Sequence, residues 1–125
     1  MEVLLVLSIA GIVMAIALPR IVAIRAALTL DAAAQEVVAQ LNLSRSEAIR
    51  RNVAVSFVKI SASQFRVGTL TQRDLPGGVT FGTSTPDSVR FASFGPPSTG
   101  AATLALQIGS RTRNVRVNAA GYASY

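Results

Sequence analysis

The sequence contains no cysteine, no histidine and no tryptophan. Without cysteine there is no disulfide framework and no zinc-thiolate site. Without histidine the commonest proton shuttle and metal ligand is also missing, so most familiar catalytic constellations are excluded. Aromatic residues make up 6% of the chain and charged residues 14%, while half of it is hydrophobic, which rules out a disordered polar tail. Its 125 residues fit one domain of ordinary size. Acids are scarce as well: six Asp and Glu face eleven Arg and one Lys, a net charge of +6. That balance suits an anionic partner, whether nucleic acid, lipid headgroups or an acidic protein, and by itself does not choose among them.

The hydrophobicity is concentrated at one end. Of the first 24 residues 19 are hydrophobic, and Val3 to Leu18 carries no charge, whereas the other 101 residues hold 44 hydrophobics, close to ordinary globular usage. As a helix the 16-residue stretch VLLVLSIAGIVMAIAL spans about 24 Å, short of the roughly 20 residues that cross a bilayer core. Ile21, Val22 and Ile24 extend it past Pro19 and Arg20. A cleaved secretory signal is the alternative, with Ala15-Ile16-Ala17 as a small-residue cleavage site. Against it, Met1-Glu2 is acidic where signal peptides are basic, and the sequence continues as helix.

From Arg25 to Arg51 there is no Gly or Pro, and Ala, Leu, Gln, Glu and Arg abound. Leu30, Ala34, Val37, Val38, Leu41, Ala48 and Ile49 recur at spacings near three and four, an amphipathic face interrupted at Arg45, and Asn52 is a natural stop. One long helix is expected, loosened or kinked near Pro19. Strands follow: Val53 to Ile60 and Gln64 to Leu70 around Ser-Ala-Ser, a short strand in Leu75 to Phe81 after Pro-Gly-Gly, and Ser88 to Phe94. After the loop Gly95 to Ala102 comes a second hairpin, with Leu104, Leu106 and Ile108 on one strand, Val115 and Val117 on its partner and Gly109 to Arg111 at the turn, and then a terminal Tyr-Ala-Ser-Tyr. The predicted fold class is α+β, a long helix packed on an antiparallel sheet of six or seven short strands. Residues 1–24 form a transmembrane helix half, and 25–125 a globular domain made of an amphipathic helix (25–52) and strands (53–125).

Glu2 is a lone acid at the head of an apolar helix. The helix dipole favours a carboxylate in the first turn by about 0.3 to 1 kcal/mol, which would suffice to explain it in isolation. The surroundings change its weight. E-V-L-L-V-L-S-I-A-G-I-V-M-A-I-A-L-P, with Pro19 seventeen residues after Glu2, resembles the N-terminal helix of type IV pilins and type II secretion pseudopilins. In that family a leader ending in Gly precedes Phe-Thr-Leu-(Ile or Val)-Glu. Here Met1 is expected to stand where the family has Val or Ile, with the leader and first mature residues outside the sequence. The helix end S-R-S-E-A-I-R-R-N (Ser44 to Asn52), L-P-x-G-V-x-F, V-R-F-x-x-F-G and the final V-R-V-N-x-x-G-Y are similar to the GspH/FimT group of minor pseudopilins and minor pilins.

The resemblance implies a pilin-like fold and a non-enzymatic structural subunit. Such a subunit is processed by a prepilin peptidase where the leader is present, held in the bacterial inner membrane as a single pass with a periplasmic domain, and then assembled with other subunits through the helix. A carboxylate in hydrocarbon is costly unless paired. In the family the acid at the position of Glu2 pairs with the N-terminal amine of a neighbouring subunit and sets register, so Glu2 and Pro19 are the candidate assembly residues. Pro19 also reads as a simple breaker at the membrane exit, and Gly11 permits close helix approach. Arg20 and Arg25 behind the apolar run would by the positive-inside tendency keep the domain cytoplasmic, and the family's basic leader restores the opposite orientation.

After Asp87 there is no acid, while Arg90, Arg111, Arg113 and Arg116 remain. Some FimT-like minor pilins are DNA receptors in natural transformation and carry Gly-Arg-x-Arg near the C-terminus. Gly109-Ser110-Arg111-Thr112-Arg113 is one residue longer, which makes Arg111, Arg113 and Arg116 candidate DNA-binding residues, with surface solubility as the plainer role. Ser56-Phe57-Val58-Lys59 matches S-x-x-K of serine acyl-transfer enzymes but lies in an expected strand with no companion motif. Asp31, Glu36, Glu47, Asp74 and Asp87 are scattered singles rather than a metal cluster, and no cofactor is indicated. Asn42-Leu43-Ser44 is formally a glycosylation sequon on a helix.

Overall fold

In the computed structural model, which describes all 125 residues, helix α1 runs from Glu2 to Arg51. It continues through Pro19, so the missing N–H there leaves the helix unbroken where a loosening was expected. Asn52 ends it in the left-handed conformation (φ 51°, ψ 36°), a position where Asn substitutes for Gly. Only the second half of α1 is packed. Its buried residues Leu30, Ala33, Ala34, Val37, Leu41, Ser44 and Ala48 step by three or four, apart from the adjacent Ala33 and Ala34, and form one stripe. That stripe differs from the expected one at its far end: Ile49 is 46% exposed, and Ser44 is fully buried in its place. The Ser44 hydroxyl donates to the Gln40 carbonyl at 2.7 Å, so its polar atom brings a partner into the core.

Eight strands follow: β1 (Val55–Lys59), β2 (Gln64–Val67), β3 (Arg73–Asp74), β4 (Thr80–Phe81), β5 (Ser88–Phe91), β6 (Ala102–Ile108), β7 (Arg111–Val117) and β8 (Ala123–Ser124). They form two four-stranded antiparallel sheets, ordered β3-β2-β1-β5 and β4-β6-β7-β8, where a single sheet of six or seven strands was expected. The division has a local cause. β5 pairs along β1, with Ser56 opposite Arg90, and then stops at Phe91, where the chain turns back on itself: Ala92 N–H donates to Pro96 and Ser98 N–H to Arg90. β6 must therefore find another partner and takes β4. The 3₁₀ turn Pro76–Gly78 delivers the chain to β4, with Gly77 at φ 61° directly against Thr29 of α1, where any side chain would collide.

α1 lies across both sheets. Phe57, Phe65, Val89 and Phe91 from the first and Leu104, Leu106, Val115 and Val117 from the second are buried beneath it. Phe57 and Phe65 stack at 5.1 Å, and Phe81 of the second sheet meets both edge-on at 6.3 Å, so aromatic contacts join the two sheets. Two carboxylates flank the buried stripe of the helix. Asp31 pairs with Arg113 of β7 and Glu36 with Arg73 of β3 at 3.2 Å, one acid to each sheet. Five residues apart, they point about 140° from each other around the helix. Beyond β4, the Thr85 hydroxyl donates to the Ala105 carbonyl and accepts from the Ala105 N–H, both at 3.0 Å.

Candidate functional site

Each region singled out in the sequence has a definite place. From Val3 to Ile24 the large apolar side chains of α1 are all 47–72% exposed, and nothing in the chain packs on them. With charge absent from Val3 to Leu18, this half presents hydrocarbon on every side. Glu2 sits in its first turn, Gly11 faces open space and Pro19 lies where the apolar half approaches the head. The ion pairs of the chain join Arg50 and Arg51 to Glu47, Lys59 to Asp87, Arg73 to Glu36 and Arg113 to Asp31, and Glu2 enters none of them.

The C-terminal arginines do not form one surface. In β7 the side chains alternate, so Arg111 and Arg113 share the helix-facing side with Val115 and Val117, whereas Arg116, opposite Thr103, is on the outer face. Arg113 is held by Asp31. Arg111 stands free beside it in a shallow cleft of about 280 Å³, lined by Ala27, Leu30, Arg111, Thr112 and Arg113. The hairpin turn that carries them is Gly109-Ser110, with Gly109 at φ 56°, the sign required at the first position of a type II′ turn. Because Arg113 meets Asp31, and Tyr122 meets Arg45, β7 climbs alongside α1 from the end where the exposed half leaves the head. The arginine hairpin is at the base of the head.

At the opposite end, Arg45 does more than interrupt an apolar stripe. Its guanidinium lies over the Tyr122 ring at 4.2 Å from the centroid, and its side chain fills the space between Gly95 and Gly121. A Cβ on Gly121, whose φ is 89°, would come within 2.5 Å of the Gly95 carbonyl. Asn118 shapes this turn: its side-chain oxygen accepts from Ala120 and Tyr122 N–H, both at 3.0 Å. Asn42 of α1 accepts from Ala123 N–H at 3.3 Å and ties down β8. Nothing in the sequence alone paired Arg45 with this turn, since the two lie more than seventy residues apart.

The Ser56–Lys59 pattern has no catalytic geometry. Three residues apart on β1, the two side chains leave opposite faces. The Lys59 amine is engaged by Asp87 at 3.0 Å and the Thr85 carbonyl at 3.2 Å. Glu47, held by Arg50 at 2.8 Å and by Arg51, has its pKa lowered, chiefly by the Arg50 hydrogen bond.

A model of the family described as type II transport protein GspH matches residues 33–121, more than half of the chain. The chain belongs to that family. The matched span of this GspH-family chain includes both the helix segment with Arg45 and the Asn118–Gly121 turn that closes on it. Two solved structures of the type IV minor pilin FimU of Pseudomonas aeruginosa strain PAO1, from different crystal forms, share its fold. Their TM-scores are 0.67 and 0.65, each at 21% identity over 76% of this chain, covering 86% and 90% of theirs. No curated protein matches the sequence. Family and fold place the chain in the pilin and pseudopilin superfamily, whose members are structural subunits.

Proposed function

We propose that this GspH-family chain is a minor pilin or pseudopilin. The first half of α1 anchors it in the inner membrane with the head in the periplasm, and the same half later packs among the helices of other subunits in a type IV pilus or type II secretion pseudopilus. The observation that carries the reading is the projecting half-helix, exposed along its whole length and apolar on every side. Such a surface requires lipid or other helices around it, and a filament core replaces one with the other.

Glu2 fits the same sequence of events. A carboxylate at the membrane end of this helix is costly in hydrocarbon until a cation meets it, and a neighbouring subunit's terminal amine is a suitable one. Pro19, within the exposed half near its head end, removes one helix hydrogen bond where the helix must adapt between bilayer and bundle. In the full-length protein, Glu2→Ala is expected to leave membrane insertion intact and strongly reduce recovery in sheared filaments. Undiminished recovery would remove Glu2 from the assembly role.

The alternative, a DNA-binding minor pilin of natural transformation, has weaker support. Of its three arginines, Arg113 is occupied by Asp31 and Arg116 faces away from Arg111.

A further inference from the structure

The base of the head concentrates positive charge where the helix leaves it. Arg20 and Arg25 follow the apolar run on α1, and Arg111 stands beside Ala27 and Leu30 at the tip of the β6–β7 hairpin. No carboxylate pairs with any of the three, and the nearest acid, Asp31, is already bound to Arg113. The spacing matches a bilayer. If Val3 to Val22 fill the hydrocarbon core, about 30 Å of helix, Arg25 lies about 4 Å beyond it and Ala27 to Leu30 about 8 to 12 Å beyond it. The headgroup layer on each side is about 5 to 7 Å deep, and charges are felt for a further 8 to 10 Å. Arg20 is long enough to extend its guanidinium out of the core. The hairpin thus hangs just outside the headgroup layer on one flank of the helix, within range of its charge, and a modest tilt toward that flank brings Arg111 into the headgroups.

We infer that the Gly109-Ser110-Arg111 turn is a membrane-surface contact that docks the head on a bilayer containing anionic phospholipid, with Arg20 and Arg25 completing the cationic base. This rests on the anchored state proposed above. It assigns the turn to lipid phosphate rather than to nucleic acid, because an anchored head holds the turn against the membrane and not toward the space beyond it. Docking fixes the head's tilt, and extraction into a filament must break this contact together with the hydrocarbon one.

The lack of cysteine makes the test direct. The full chain, carrying a fluorophore on Ser110→Cys or, at the far end of the head, on Ala120→Cys, is reconstituted in vesicles of phosphatidylcholine alone or mixed with phosphatidylglycerol, with a headgroup-borne quencher. The Ser110 label should be quenched much more than the Ala120 label, and more in the mixed vesicles. Arg111→Ala should shift the docked-to-undocked ratio roughly fivefold, the equivalent of about 1 kcal/mol per arginine at such a surface, and raised salt should act in the same direction. Equal quenching at the two positions, or quenching indifferent to lipid charge and to Arg111→Ala, overturns the inference while leaving the anchor standing. Failure of the chain to float with vesicles of either kind overturns both. A single-stranded oligonucleotide that binds the reconstituted protein in an Arg111-dependent way, with Ser110 unquenched, reassigns the turn to nucleic acid.

Discussion

Arg45 and Glu47 show how much one turn of helix can do. Arg45 lies against Gly95, Gly121 and the Tyr122 ring, so its value is chiefly packing and cation–π contact rather than charge pairing. Arg45→Ala is expected to destabilise the head by about 1 to 2 kcal/mol, read as a lower urea midpoint in detergent-solubilised protein. Glu47 is held by two arginines at the helix end, and its folded pKa lies below the ordinary 4.5. A depressed carboxylate pKa contributes stability that is present above the unfolded value and is lost as the pH falls through the folded one. The melting temperature of Glu47→Gln should therefore trail the parent's at neutral pH and converge with it in acid. The two segments that carried the family resemblance, Ser44 to Asn52 and Val115 to Gly121, are in physical contact here. Sequence spacing alone could not show this, because the glycine's value lies in the room it leaves for a side chain from the far end of the chain.

The elements divide by what surrounds them. Along α1 leucine and valine occur in both the packed and the bare halves, and what differs is their partners. Leu41→Ala, inside the stripe over both sheets, is expected to cost about 2 to 5 kcal/mol, whereas Leu7→Ala should leave the head's unfolding midpoint unchanged. The helix was legible because its pattern is local: uninterrupted helix formers, apolar residues at threes and fours, and Asn52 at the stop. The β6–β7 hairpin was legible for the same reason, its alternation and Gly109 lying within one short segment. The partition into two sheets was not, since it depends on β5 closing against β1 and leaving β6 to β4. Ser44 was passed over because a lone hydroxyl reads as polar until its own Gln40 carbonyl is counted as its partner. The separation of Arg113 from Arg116 follows from strand alternation, but the capture of Arg113 by Asp31 is a contact across 82 positions.

As a whole molecule the chain is a head of ordinary composition on an apolar stalk, with Arg20, Arg25 and Arg111 at its base and the Arg45–Tyr122 contact at the far end. The outer strands of that head offer little to a pairing partner, although β8 covers only Arg116 and Val117 of β7. Three outer strands, β3, β4 and β8, are two residues long, and the fourth, β5, is covered by the Pro96-Pro97 return. Beyond β4 the Thr85 hydroxyl occupies both backbone groups of Ala105 that another strand would use. Thr85→Val should leave the Ala105 N–H unpaired while its carbonyl keeps the Gly82 N–H, lower stability by about 1 to 3 kcal/mol and promote concentration-dependent association of detergent-solubilised protein, measurable by sedimentation. Strand-templated polymerisation, the route by which exposed edges drive uncontrolled fibres, is thereby disfavoured at β3, β4 and β5. The large surface left for the proposed assembly is the stalk, and a polymer that grows through it grows only where a membrane or a bundle can receive hydrocarbon.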